Sequence, residues 1–319
     1  MSIPLPGKLV RVTTWSELVQ ELHSRRLVQS RPEEGNHLRS PYVFRGIDVA
    51  QWGLRTSLQR LPRNNHGDID VIERSLIRSF RKYAIAGTFD NRSEWYILAV
   101  GQHNGLPTRC LDWTFSPFVA AHFACGKDEF NNQDGSIWCL HAGILRHLNE
   151  RSNGTAESLR RIAWVYDTRL LEKSFADLSA FDASHDAGEL MLLWEPPSLD
   201  QRIANQAGLL SIMNGSSASQ NEFLRQYTDE FPDLLLRIDI ASSAKSEIRD
   251  MLDQNNISER TLYPDLPGLC SWLKRYYGEA WSERTSVTTP FEQDKLEVKS
   301  GMSVDLLEKK LPLVQGGMV

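Results

Sequence analysis

The chain is poor in cysteine: it holds four, at positions 110, 125, 139 and 270, and no two form a C-x-x-C pair. That spacing offers no disulfide framework and no zinc knuckle, and free, buried thiols in a cytoplasmic protein are the expectation. No apolar run approaches the 18 residues of a membrane-spanning helix, and the N-terminus lacks the apolar core of a signal peptide. Basic residues are not in excess. Lys and Arg number 36 against 41 Asp and Glu, a formal net charge of -5, which argues against a general duplex-binding surface while leaving room for a local basic patch. Familiar catalytic signatures are also missing: there is no G-x-S-x-G elbow, Walker loop, H-E-x-x-H or G-x-G-x-x-G. The eight histidines do not cluster at ligand spacing, so no metal site is expected. What remains, at 41% hydrophobic and 24% charged, is enough apolar material for an ordinary globular core.

Taken in order, the chain alternates short apolar runs with helical patterns. Thr14 and Glu17 read as a capping box for a helix over 15–25. Residues 31–39 read as a polar loop, and 42–46 as a short strand. Ile69, Ile72, Leu76, Phe80 and Tyr83 keep helical spacing over 69–83, with Arg74, Arg78, Arg81 and Lys82 on other faces. Residues 95–100 continue as a second helix. Further strands are expected at 135–141, 161–167, 189–194, 209–213 and 234–240, with a turn at Asn153-Gly154. Residues 174–187 lack periodicity and read as an insertion or loop. Ser242 or Ser243 is the expected cap of the next helix, and a last helix over 264–277 has Leu266, Leu269, Leu273 and Tyr276 on one side. The whole predicts a mixed α+β fold: one domain over 1–282 with short strands and several helices, then a polar tail at 283–319.

Polar residues are densest in the stretch 101–125, GQHNGLPTRCLDWTFSPFVAAHFAC, where they interrupt an apolar run. Each such group needs a partner or a task. Ser116 followed by Pro117 starts a helix whose small residues permit close packing. His103, Thr108, Arg109, Asp112, Trp113 and Thr114 therefore lie in the segments feeding a buried helix. Arg45, among Val43, Phe44 and Ile47, is either half of a structural ion pair or a phosphate clamp. Asp112 either neutralises Arg45 or Arg109 or faces a ligand. His122 belongs to an apolar helix face and reads as a core histidine.

Four ordered motifs carry a family resemblance. Tyr42-Val43-Phe44-Arg45-Gly46 is similar to the Phe-Arg-Gly tripeptide that names the FRG domain, a bacterial family. Gly101-Gln102-His103, Gly105-Leu106-Pro107-Thr108-Arg109 and Leu111-Asp112-Trp113-Thr114 resemble its second element. Arg202-Ile203-Ala204-Asn205-Gln206-Ala207-Gly208 and Tyr263-Pro264-Asp265-Leu266-Pro267-Gly268-Leu269 resemble the third and fourth. The layout also resembles ADP-ribosyltransferases, in which an early-strand arginine holds the dinucleotide and a Ser/Thr before an Ala-rich helix positions its nicotinamide half. The FRG resemblance implies an effector of antiphage defence or toxin type, and the ADP-ribosyltransferase-like layout implies action on a nucleotide, with NAD as cofactor or substrate. Arg45, His103, Asp112, Thr114 and Gln206 would take the catalytic positions, and Arg45, Thr108, Arg109 and Trp113 would bind the nucleotide. The departure is at the third element: Gln206 and Gly208 stand where a carboxylate is expected, leaving Glu189 or Glu195 as substitutes. The alternative is a non-enzymatic module binding a nucleotide, nucleic acid or phage-derived partner. The acceptor, trigger and oligomeric state carry no signature in the sequence.

Overall fold

The computed structural model describes residues 7–24, 40–61, 68–85, 88–90, 92–126, 128–152, 165–197 and 201–278. The expected polar loop at 31–39, the turn at 153–154 and the tail at 283–319 lie outside the described residues. Among the described residues eight strands form one sheet: β1 (Lys8–Val12), β2 (Tyr42–Ile47), β3 (Leu111–Thr114), β4 (Gly135–His141), β5 (Tyr166–Asp167), β6 (Met191–Glu195), β7 (Gly208–Met213) and β8 (Leu235–Ile240). Their order is β1-β8-β4-β2-β3-β7-β6-β5. The outermost pairs, β1 with β8 and β5 with β6, are parallel, and every other neighbour is antiparallel. This is the mixed α+β domain that the sequence predicts. No helix among the described residues is long and apolar enough to cross a membrane.

The sheet is nearly divided at its centre. β2 pairs with β4 from Tyr42↔His141 to Ile47↔Ser136, and β3 pairs with β7 from Leu111↔Ser211 to Thr114↔Gly208. Between β2 and β3 the ladder is a single pair, Phe44↔Thr114. Because successive side chains alternate faces, each half-sheet builds two cores. Tyr42, Phe44, Ile137, Cys139 and Ile238 pack outward against residues of the helices Trp15–Leu22, Pro117–Cys125 and Lys245–Gln254. Leu192, Trp194, Leu210 and Ile212 pack with Trp95 and Leu98 of the helix Glu94–His103, and with Leu171, Leu178 and Phe181. The remaining faces share one core, in which Val43, Ile47, Trp138 and Leu140 of one half join Leu111, Trp113, Leu209 and Met213 of the other.

Local signals explain most elements. The helix Ile69–Tyr83 has the expected bounds, and Asp68 accepts a hydrogen bond from Asp70 N at its start. Ser116 Oγ accepts from Val119 N and Pro117 lies in the first turn of the helix it precedes. Two expectations need correction. Residues 174–187 are not a loop: Asp177 caps a helix, Leu178–Ala183, that buries Leu178 and Phe181, too short for its period to register in a longer window. Neither Ser242 nor Ser243 caps Lys245–Gln254, because a 3-10 turn (Ser242–Ala244) intervenes and Ser242 N instead donates to Asp134. The last helix, Leu266–Tyr276, leaves Leu266 and Leu273 exposed and buries Gly268 and Arg275. A Cβ at Gly268 would stand 2.0 Å from the Tyr263 carbonyl oxygen, and Arg275 is held by Asp253 and Glu259.

Candidate functional site

Where β2 and β3 part, a cavity of about 300 Å³ opens. The Phe-Arg-Gly tripeptide forms its first wall, and each member has a separate physical task. Phe44 is buried in the outer core of its half-sheet. Gly46 lets the helix Pro117–Cys125 lie directly on the strand, since a Cβ there would be 1.9 Å from Ala120 O and 2.8 Å from Ala124 N. That contact brings Phe123 to the cavity.

Arg45, between them, has the parity of Val43 and Ile47, but its tip turns to β3. Nη1 donates to the Asp112 carbonyl oxygen at 2.6 Å and lies 3.7 Å from Asp112 Oδ2. The side chain is 15% exposed, and among the described residues its Nε, sealed from solvent, has no hydrogen-bond partner. Burial lowers the proton affinity of Arg45, the Asp112 carboxylate offsets part of that, and nearby Arg60 lowers it again. The guanidinium remains a cation, because arginine starts far above neutral pH.

The second wall comes from β3, β7 and the helix Glu94–His103. Asp112 projects an exposed carboxylate that accepts from Gln102 Nε2 at 2.8 Å. Gln102 Oε1 in turn accepts from the Thr108 hydroxyl. Thr114 Oγ1 donates to Gln206 O at 2.6 Å and accepts from Ser116 N at 3.0 Å. Gln206 Nε2 donates to Leu262 O at 3.1 Å, tying this wall to the short helix Glu259–Leu262. Ala207, next in sequence, holds φ at +45°, a left-handed conformation that costs a non-glycine residue about 1 kcal/mol or more. Such strain is common where neighbouring groups are held for a purpose.

The structure thus brings Arg45, His103, Asp112, Thr114 and Gln206 to one cavity. It does not bring Arg109 there. The Arg109 guanidinium is 5% exposed and held by Glu73 and Asp182, and those hydrogen bonds and charges raise its proton affinity although burial opposes them. Its expected place in nucleotide binding is therefore corrected to a structural ion cluster. Thr108 is buried behind Gln102, where its hydroxyl also accepts from Cys110 N at 3.1 Å, so it backs the wall instead of lining it. Trp113 borders the cavity, but the residue is 2% exposed and its Nε1 donates to Ser211 Oγ at 2.8 Å. The core has claimed the flat face expected for a base.

Among the wall residues not singled out from the sequence are Asp48, Arg202 and Tyr263. The last two lie inside the quoted motifs, where a signal existed; Asp48 follows the tripeptide with none. Arg202 Cζ stands 4.3 Å from the Tyr263 ring centroid, and burial raises the Tyr263 pKa while Arg202 opposes the rise. Asp48, Phe123 and Tyr263 also line a second cavity of about 310 Å³, which His122, Lys274 and Arg275 continue. Burial pushes His122 down to about 4, Glu259 partly opposing, so the imidazole is neutral at pH 7. No group of three or more His, Cys, Asp or Glu that could hold a metal ion occurs among the described residues.

No curated protein and no solved structure matches the chain. Residues 40–133 match the family model of the FRG domain, and this segment supplies Arg45, His103, Asp112 and Thr114 to the cavity.

Proposed function

We propose that the cavity between β2 and β3 binds a nucleotide through its phosphates, with NAD as the ligand, and runs ADP-ribosyltransferase-like chemistry on it. The observation that supports this most is the buried fork of Arg45, whose Nε has no partner among the described residues. An enclosed cation with a donor unmet is costly, and two phosphate oxygens would satisfy a guanidinium fork. The adjoining cavities, about 300 and 310 Å³ with three residues in common, suit a ligand of two halves joined by a pyrophosphate.

In the reaction, the bond between the nicotinamide nitrogen and the ribose C1′ breaks and nicotinamide leaves with the electron pair. A water or acceptor oxygen then bonds to C1′ and releases its proton to solvent. Positive charge gathers on the ribose between these events, and a carboxylate stabilises it. Gln206 and Gly208 cannot supply that charge. Asp112, on the wall and hydrogen-bonded to Gln102, is the carboxylate assigned to it. Thr114 holds Gln206 through its backbone, and His103 borders the space left for the acceptor. The role as a defence or toxin-type effector rests on the family resemblance.

A second reading, a binding module without turnover, is favoured by the third motif: Gln206 offers an amide already held by Leu262 O. Nicotinamide release from NAD by the purified chain separates the two. Release that falls about 100- to 1,000-fold in Asp112→Asn supports the enzyme. Binding without release supports the module, and absence of both contradicts the nucleotide site itself.

A further inference from the structure

The helix Ile69–Tyr83 carries a feature that the cavity does not use. Arg74, Arg78, Arg81 and Lys82 are exposed, and at about 100° per residue they fall within an arc of roughly 100°. Ile69, Glu73 and Ile77 are the buried positions of the same helix. Glu73 is engaged with Arg109, and no carboxylate among the described residues pairs with any of the four cations. Like charges three or four residues apart repel and weaken a helix, an effect that Arg81 and Lys82 offset in part by lying in the last turn, where the helix dipole favours cations; the four stand together in a chain whose net charge is -5.

The face continues into apolar and aromatic surface. Lys82 Nζ stands 5.3 Å from the Tyr83 ring centroid, and Tyr83 and Ile85 are 78% and 86% exposed. The helix is a firm support, because Phe80 packs on Phe89 with ring centroids 5.3 Å apart and Ile77 is in the core.

We propose that this face binds single-stranded nucleic acid, independently of the nucleotide cavity. Arg74, Arg78 and Lys82 recur at steps of about 6 Å along the helix axis, a row of cations suited to a phosphate backbone. Tyr83, 78% exposed and about 100° around the helix from Lys82, offers the ring face that the Lys82 ammonium does not cover, and an unpaired base can stack there. A duplex keeps its bases stacked inside and cannot use that ring, which is why the single strand is the partner that fits.

The test is fluorescence anisotropy of the full chain with labelled oligo-dT and oligo-rU of about 15 residues. Four phosphate contacts give a log–log salt slope near −2.8, a loss of about 50-fold between about 50 and 200 mM salt. Replacing Arg74, Arg78, Arg81 and Lys82 together by Gln removes that salt dependence and most of the affinity. Tyr83→Ala costs about 5- to 150-fold. Both variants keep the wild-type circular dichroism spectrum and the wild-type response to NAD. The proposal is overturned if neither oligonucleotide binds at about 50 mM salt, or if the Gln variant binds as tightly. It is equally overturned if a duplex of the same length binds better, or if anionic vesicles bind and single strands do not.

Discussion

Around Arg109 and around Arg45 the fold encloses a guanidinium in two different ways. Arg109 meets two carboxylates, Glu73 and Asp182, which join the helices Ile69–Tyr83 and Leu178–Ala183 to the segment entering β3. Arg45 meets one backbone carbonyl, a carboxylate at 3.7 Å and a cavity. A buried cation whose donors are filled by the protein is architecture. One that lines a cavity while the protein leaves part of its fork unmet has capacity for a ligand. Adjacent motifs in the sequence thus contain arginines of opposite kinds, and only their partners tell them apart.

The largest effect should come from breaking the satisfied region. Arg109→Met leaves Glu73 buried beside Asp182 with no cation, at a cost of about 3–5 kcal/mol in urea denaturation. A loss below about 1 kcal/mol would mean that the cluster is not structural. Next comes His122, at the second cavity. Its pKa is pushed down to about 4 in the fold, against about 6.5 unfolded. The unfolded chain binds the extra proton first, so this contribution is complete above pH 6.5 and is lost as pH falls towards 4, on the order of 3 kcal/mol. Melting curves between these limits should show a shallower pH slope in His122→Gln than in wild type; equal slopes would refute the buried, neutral imidazole. Gly46→Ala should follow at about 1–3 kcal/mol, since the new methyl meets the backbone of the helix Pro117–Cys125 and the contact must open. Unchanged stability there would show that β2 and this helix are not in close contact.

Periodicity and capping made much of this fold legible. The helix Ile69–Tyr83 and strand β4 have the expected bounds, and Ser116-Pro117 starts a helix as its chemistry requires. Arg45, His103 and Asp112, far apart in sequence, border the same cavity. Partner choice was not legible. The carboxylates of Arg109 lie 36 and 73 residues away, and hydrophobic pattern records which face is buried, not which charge meets which. For the same reason Arg275 surprised: its helix reads as apolar on one side, yet Asp253 and Glu259 draw the arginine inward. The division between β2 and β3 is equally silent in the sequence, because both strands look alike whether paired along their length or at one residue.

The central claim is that Arg45 keeps binding capacity that Arg109 has spent. Calorimetry of NAD and ADP-ribose with wild type and Arg45→Lys, paired with urea denaturation of both, tests it directly. Lysine keeps the charge and loses the fork, so affinity should fall about 10- to 150-fold, the loss of a charge-assisted bond of roughly 1.5–3 kcal/mol. Stability should change by less than about 1 kcal/mol. Equal affinity in the two proteins, or no binding to wild type at millimolar ligand, would contradict the account.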